Sequence, residues 1–210
     1  GFKLGASAGP LVLNCVAAWG NKAFGIDENG NGHPGGVVIR NATLVNNAKD
    51  GNPVQISLDD GMPHTVTNTI AFDVDGAGVT DFSGPVSDRF NTWNGIGVSA
   101  ADFVDLDMAT LFAAAAAPRG ADGSLPEIGL RLAGRSHLVD AGTDVGLLFH
   151  GAAPDLGAFE TPRPGDANGD GAVTDADYTI WADNYGASGA GVSMGDFNGD
   201  GEVGDADYTI

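Results

Sequence analysis

Three segments, Leu11–Ala17 (LVLNCVA), Val38–Leu44 (VIRNATL) and Thr65–Ala71 (TVTNTIA), place Asn14, Asn41 and Asn68 at a constant interval of 27 residues. In each, aliphatic residues surround the Asn and a stretch rich in Gly, Asn and Asp follows. A fixed period of this length with short β-prone segments is the signature of a solenoid. Each repeat then reads as one coil of a right-handed parallel β-helix, with coils stacked about 4.8 Å apart and equivalent residues forming columns. An Asn in such a column passes an amide hydrogen bond to the next Asn, so Asn14, Asn41 and Asn68 are expected to form a structural ladder.

Composition agrees with a folded, glycine-cornered chain. Only 18% of its 210 residues are charged and 42% are hydrophobic, which excludes disorder. Its 34 glycines suit a coil that turns every few residues. No apolar run approaches the ~20 residues of a membrane span. Cys15 is alone and sits in an apolar strand, so it reads as a structural thiol with no disulfide framework. The net charge of −19 is uneven. Residues 164–210 hold ten acidic side chains and no Lys or Arg, whereas the first 163 hold eighteen acidic against nine basic. Nucleic acid is therefore excluded as a partner, and the acidic end calls for cations.

Short strands precede the Asn-bearing ones: Gly1–Gly5 (GFKLG), Phe24–Asp27 and Val54–Leu58. Lys3 precedes Asn14 by the same interval as Ser57 precedes Asn68, and Asp27 stands slightly further ahead of Asn41. This places Lys3, Asp27 and Ser57 in one column on the outer face of a sheet, where an elongated ligand would lie, with Asp27 and Ser57 as substrate-binding candidates. After Phe72 the repeat gives way to long loops with one more irregular coil. A short helix is expected over Ala101–Ala117, and Pro118–Glu160 is expected to cover the open end of the stack. The organisation is thus a β-helix over 1–160, a Pro-containing linker at 161–165, and a second module over 166–210.

That module is a duplication. Gly165–Ile180 (GDANGDGAVTDADYTI) returns as Gly195–Ile210 (GDFNGDGEVGDADYTI), changed at three positions. Both contain D-x-N-x-D-G-x5-D, the pattern of a twelve-residue calcium loop with oxygen ligands at positions 1, 3, 5, 7 and 12 and Gly at 6. The ligands are Asp166, Asn168, Asp170, the Ala172 carbonyl and Asp177 in the first copy. In the second they are Asp196, Asn198, Asp200, the Glu202 carbonyl and Asp207. Flexible loops of hard oxygens select Ca²⁺. With no helix expected before either loop, residues 165–210 resemble a type I dockerin, the small α module by which bacterial polysaccharide-degrading enzymes attach to cohesin domains. The resemblance implies two Ca²⁺ ions, a cohesin or cell-surface scaffold as partner, and a secreted or surface location. The second copy ends at Ile210, inside its helix, so the dockerin is expected to be truncated.

Most of the segment 1–160 resembles the family nine pectate lyases, which are parallel β-helices. GFKLG, NCVAAWGNKAFGIDENGN and GGVVIRNATLVNN carry the likeness, with VSAADF, RGADGSLPEIGLRL and AGTDVGLLFHGAAPDLGAFE following. The resemblance implies a pectin-type substrate, β-elimination, and Lys3, the lysine of GFKLG, as catalytic base. A lyase of this kind removes the C5 proton of a uronate and expels the oxygen at C4. A cation on the C6 carboxylate stabilises the enolate-like charge that develops. In the family that catalytic Ca²⁺ is held by aspartates on coils before the lysine. The sequence therefore reads as the back of a lyase plus most of a dockerin, cut at both ends, and is not expected to cleave by itself. Asp59 and Asp60 follow Lys3 by two coils and are not assigned the calcium role.

His33, His64, His137 and His150 show no metal spacing and read as satisfied surface or turn residues. No Ser/His/Asp order appears, and nothing singles out a glycosidase carboxylate pair. The alternative to an enzyme is a non-catalytic β-helix that binds polysaccharide or scaffolds a surface, tethered by its calcium loops.

Overall fold

The computed structural model describes residues 1–30, 32–47, 54–76, 80–119, 126, 128–169 and 171–209. The chain divides into two compact units, Gly1–Leu148 with Ala152–Thr161, and Phe149–Gly151 with Pro162–Ile210.

The first unit is a parallel β-solenoid. Short strands β1 (Phe2–Lys3), β3 (Ile26–Asp27), β5 (Ile56–Leu58) and β8 (Thr80–Phe82) stack in that order as one sheet. Strands β2 (Leu11–Trp19), β4 (Val37–Val45), β6 (His64–Thr67) and β9 (Val86–Arg89) form the other, with β7 (Ile70–Phe72) also paired to β4. All these pairings are parallel. Strands β8 and β9 are the further coil expected after Phe72. Between the sheets lies a core of Ile26, Ile56 and Leu58 against Val37, Ile39, Ala42, Leu44 and Val66. Each Ile or Leu buried there contributes roughly 1.5–3 kcal/mol, more than the backbone propensity of such short strands supplies. Phe82 and Trp93, edge to face at 6.1 Å, pack on this core beside the last rung.

The Asn ladder is present with one correction. Asn68 Nδ2 donates to Asn41 Oδ1 at 3.0 Å, and both residues are buried with left-handed backbones, φ 55° and 52°. Asn tolerates this conformation better than other side chains, and it bends the strand at a corner. Asn14, however, pairs with Arg40, because Leu11 is in register with Val37 and not with Val38. The left-handed position of the first coil is Cys15, φ 50°, and Asn14 is exposed. A second amide column has no counterpart in the sequence reading. Asn21 Nδ2 donates to Asn47 Oδ1 at 2.7 Å, and Asn47 Nδ2 donates to Gln55 Oε1 at 2.8 Å.

A second core corrects another expectation. Leu130, Leu132, Leu138 and Leu156 pack with Val45, Ile70, Phe103 and Leu111, and with Ala17, Trp19 and Phe72 at its margin. Thr43 Oγ1 accepts the Ala158 N–H at 2.8 Å, and Asn68 exchanges two hydrogen bonds with the Thr143 backbone. Residues 128–148 and 152–159 therefore cover the flank of β2, β4 and β7, not the open end. Outward Thr43 and Val45 are buried for this reason. The expected helix is α1, confined to Met108–Ala115 by Asp107, whose side chain caps the Thr110 N–H at 2.8 Å.

In the second unit, α2 (Asp175–Asp183) opens on a Thr174 cap, with Asp177 closing a capping box. Tyr178, Trp181, Tyr185 and Tyr208 cluster with centroid separations of 5.3–5.7 Å, and the Trp181 indole donates to the Gly204 carbonyl at 3.1 Å. The second copy forms a 3-10 turn at Asp207–Thr209 where the first forms α2.

Candidate active site

Residues Phe2 and Lys3 occupy a regular rung. Lys3 pairs with Asp27, Asp27 with Ser57, and Ser57 with Asp81. The apolar neighbours Phe2, Ile26 and Ile56 turn inward, so by strand alternation the Lys3 column turns outward. Lys3 is exposed and Asp27 half-buried. Ser57 departs from expectation: it is 3% exposed, because a short hydroxyl between the Asp27 and Asp81 rungs leaves no surface of its own. Lys3 lines a cleft of about 380 Å³ with Phe2, Asn21, Lys22, Phe24 and Asp27. Asp27 is the only carboxylate among the described lining residues and accepts the Asn29 N–H at 2.7 Å.

Two histidines depart from the surface role expected of them. His33 and His64 are both fully buried, joined by Asp60. His64 Nδ1 accepts the Val37 N–H at 3.0 Å, so its Nε2 carries the proton donated to Asp60 Oδ1 at 2.9 Å. His33 meets oxygen at both ring nitrogens, Asp60 Oδ2 at 3.0 Å and the Gly5 carbonyl at 2.8 Å, so both donate. Asp60 also accepts the backbone N–H groups of His33 and Met62. Asp60 thus joins the corners of two windings, and His33 carries the link to a third at Gly5. Glu28 brings its carboxyl close enough that one atom each of Glu28, His33 and Asp60 lie within 4.8 Å of one another. Its oxygens accept the Asp59 and Gly30 N–H groups at 2.9 Å. Burial, with the Asp59 side chain beside it, pushes Glu28 above the usual carboxylate range. With these atoms already paired, the cluster is a hydrogen-bonded hub.

Of the calcium-loop residues, Asp166, Asp177, Asp196 and Asp207 are all buried. Asp166 accepts the Gly171 N–H at 2.8 Å, and Asp196 accepts those of Gly199 and Gly201 at 2.8 and 3.0 Å. Asp177 takes the Asn168 and Thr174 N–H groups, and Asp207 those of Phe197, Asn198 and Gly204. Asn198 and Asp200 are exposed and bonded to each other. Asp170 lies outside the described residues. Ala172 and Glu202 occupy the seventh positions, Glu202 pairing with Ser188 in an isolated antiparallel bridge.

No protein-family model matches the chain. It is 37% identical over 168 residues to pectate lyase L of Dickeya dadantii (strain 3937), covering 76% of this chain and 36% of that protein. Pectate lyase L of Dickeya chrysanthemi is 34% identical over the same length and shares. The chain therefore spans about a third of the length of these relatives. The crystal structure of pectate lyase Pel9A superposes with a TM-score of 0.56 at 32% identity, over 77% of this chain and 39% of that one. None of the described helices is long and apolar enough to cross a membrane. In sequence and in fold alike, most of this chain is similar to the pectate lyases, and its first unit is a parallel β-solenoid.

Proposed function

We propose that the chain is part of an extracellular polysaccharide lyase acting on pectate by β-elimination, with Lys3 as the general base. The observation that carries this is the position of Lys3: outward on a regular rung, in an open cleft, in a chain similar to pectate lyases. A base for this reaction must face the C5 hydrogen of a sugar lying along the stack, and an outward amine on a flat parallel sheet meets that need. Lys3 would take the C5 proton, the electron pair would form the C4–C5 double bond, and the C4 oxygen would leave with its own proton supplied by solvent. Asp27, next in the column, lines the same cleft and would face the same stretch of substrate. Among the described residues, those lining the Lys3 cleft do not compose a calcium site. One carboxylate lines the cleft, against the six to eight oxygens Ca²⁺ takes. Asp60 is committed to two histidines.

The test is formation of unsaturated uronate, read by its ultraviolet absorbance, with polygalacturonate and the full-length protein. Lys3→Ala should lower kcat by about 10²–10⁴-fold with little change in KM. Full activity in that variant would remove Lys3 from the chemistry.

For the second unit we propose a dockerin-like attachment module with one Ca²⁺ per loop. Four buried carboxylates in a segment without Lys or Arg after Arg163 favour this reading, since a cation adds to the backbone hydrogen bonds that hold such anions. The oxygens of Asp166, Asn168, Asp170, Ala172 and Asp177, and of Asp196, Asn198, Asp200, Glu202 and Asp207, would hold the ions. Bound Ca²⁺ supplies the charge that lets these carboxylates converge, and a cohesin or surface scaffold would be the partner. Chelation should melt α2 and the aromatic cluster while the β-helix signal persists, because metal binding of this kind is coupled to folding. Unchanged near-ultraviolet circular dichroism on chelation would refute the metal reading.

A further inference from the structure

We propose that Lys22 is a second carboxylate-binding residue of the Lys3 cleft, holding a uronate carboxylate of the polysaccharide next to the sugar that Lys3 meets; this rests on the pectate reading above. The chain has only three lysines, and two of them, Lys3 and Lys22, line this one cleft. In a protein of net charge −19, that concentration of ammonium groups is against the average. Among the described residues neither forms an ion pair, and Asp27 is the only acid lining the same cleft.

The backbone that carries Lys22 is fixed. Its neighbour Asn21 donates to Asn47 Oδ1 from both its backbone N–H, at 3.2 Å, and its side chain, at 2.7 Å. Asn47 is itself fully buried and donates to the Ala18 carbonyl at 3.0 Å. On the far side of the turn, Gly25 N–H donates to the Gln55 carbonyl at 2.9 Å. A Cβ at Gly25 would lie 2.8 Å from Asn47 Nδ2, so the turn is packed directly onto the amide column. Two amide clamps thus hold the Lys22 backbone while its exposed side chain is left to meet an anion. A polyuronate presents one carboxylate per sugar, so a second cation beside the base recognises a repeating acid where a neutral polymer offers it nothing. Lys22 is a positioning residue: it sets where the chain lies, and Lys3 acts on it.

The experiment measures binding of an oligogalacturonate and of a neutral galactose oligomer of equal length to the chain and to its Lys22→Gln and Lys22→Arg variants. The chain should prefer the acid. Lys22→Gln should weaken acid binding about five- to ten-fold, leave neutral binding unchanged and flatten the salt dependence, while Lys22→Arg restores the preference. Thermal unfolding of Lys22→Gln should match the parent, which separates recognition from folding. Equal binding of the two oligomers by the parent chain would overturn the pectate reading together with this inference. An acid preference that survives Lys22→Gln intact would overturn the role of Lys22 alone.

Discussion

Asp60→Ala should destabilise the β-helix by about 3–5 kcal/mol, the usual cost of removing one partner from a buried ion pair. Its side chain is 2% exposed and meets two histidines that are fully buried. Truncation would leave His33 with a ring N–H aimed at nothing, His64 Nε2 unpaired, and the Met62 and His33 backbone donors without an acceptor. Asn at this position fails almost as badly, because its amide NH₂ would face donors. Denaturant unfolding of the parent, Asp60→Ala, His33→Ala and the double variant measures the effect, and the two losses should be strongly non-additive. A loss under about 1 kcal/mol would place Asp60 among ordinary surface acids.

The same residue gives the β-helix an acid limit. Burial pushes the Asp60 carboxyl up, but the Met62 N–H and the two histidines outweigh it and hold the group below the usual carboxylate range. A depressed value in the folded state adds stability that is present above the unfolded value, about 3.9, and is lost as pH falls through the folded one. The stability gap between parent and Asp60→Ala should therefore be constant well above about pH 4 and narrow progressively as pH falls below it.

Gly36→Ala should be equally damaging for a steric reason. A Cβ there would fall 1.7 Å from the Pro63 carbonyl oxygen of the next winding, and φ is +79°. The Gly36 carbonyl also accepts the Leu11 N–H at 3.1 Å, so the peptide cannot retreat without breaking the rung on its other side. The rungs would have to part, and a loss above about 4 kcal/mol or failure to fold is expected. Gly30→Ala is the matched control. Its φ is similar, +59°, but a Cβ there meets nothing, so only the left-handed strain of about 1–2 kcal/mol remains. Equal losses in the two variants would show that strain, not contact, governs the corner.

The regular spacing of the Asn-bearing segments made the stack legible, and the short strands ahead of them, with an apolar residue before Lys3, Asp27 and Ser57 in each, marked the outward column. Asn14 misled because the first winding is slightly shorter than the second, a difference that no side chain announces. The hub around Asp60 was written in the same period: His33 and Asp60 are 27 residues apart, as are Val37 and His64. The histidines' spacing from one another hides it, because each finds a partner one winding away. The flank cover was illegible for another reason. Thr43 and Val45 alternate like solvent-facing residues, and only the return of a much later segment, around Ala158, buries them.

The windings are unequal in length. On one sheet the step from Ile26 to Ile56 is longer than the steps from Phe2 to Ile26 and from Ile56 to Thr80. On the other, the step from Thr65 to Ser87 is shorter than that from Val38 to Thr65. Alignment is preserved throughout, so surplus length is discharged into the bends. Such an architecture separates two kinds of genetic change. Insertions and deletions at bends free of close packing between windings alter the rim, while point changes within a rung alter the floor. Length can therefore change at such a bend while Lys3, Asp27 and Ser57 keep their common register.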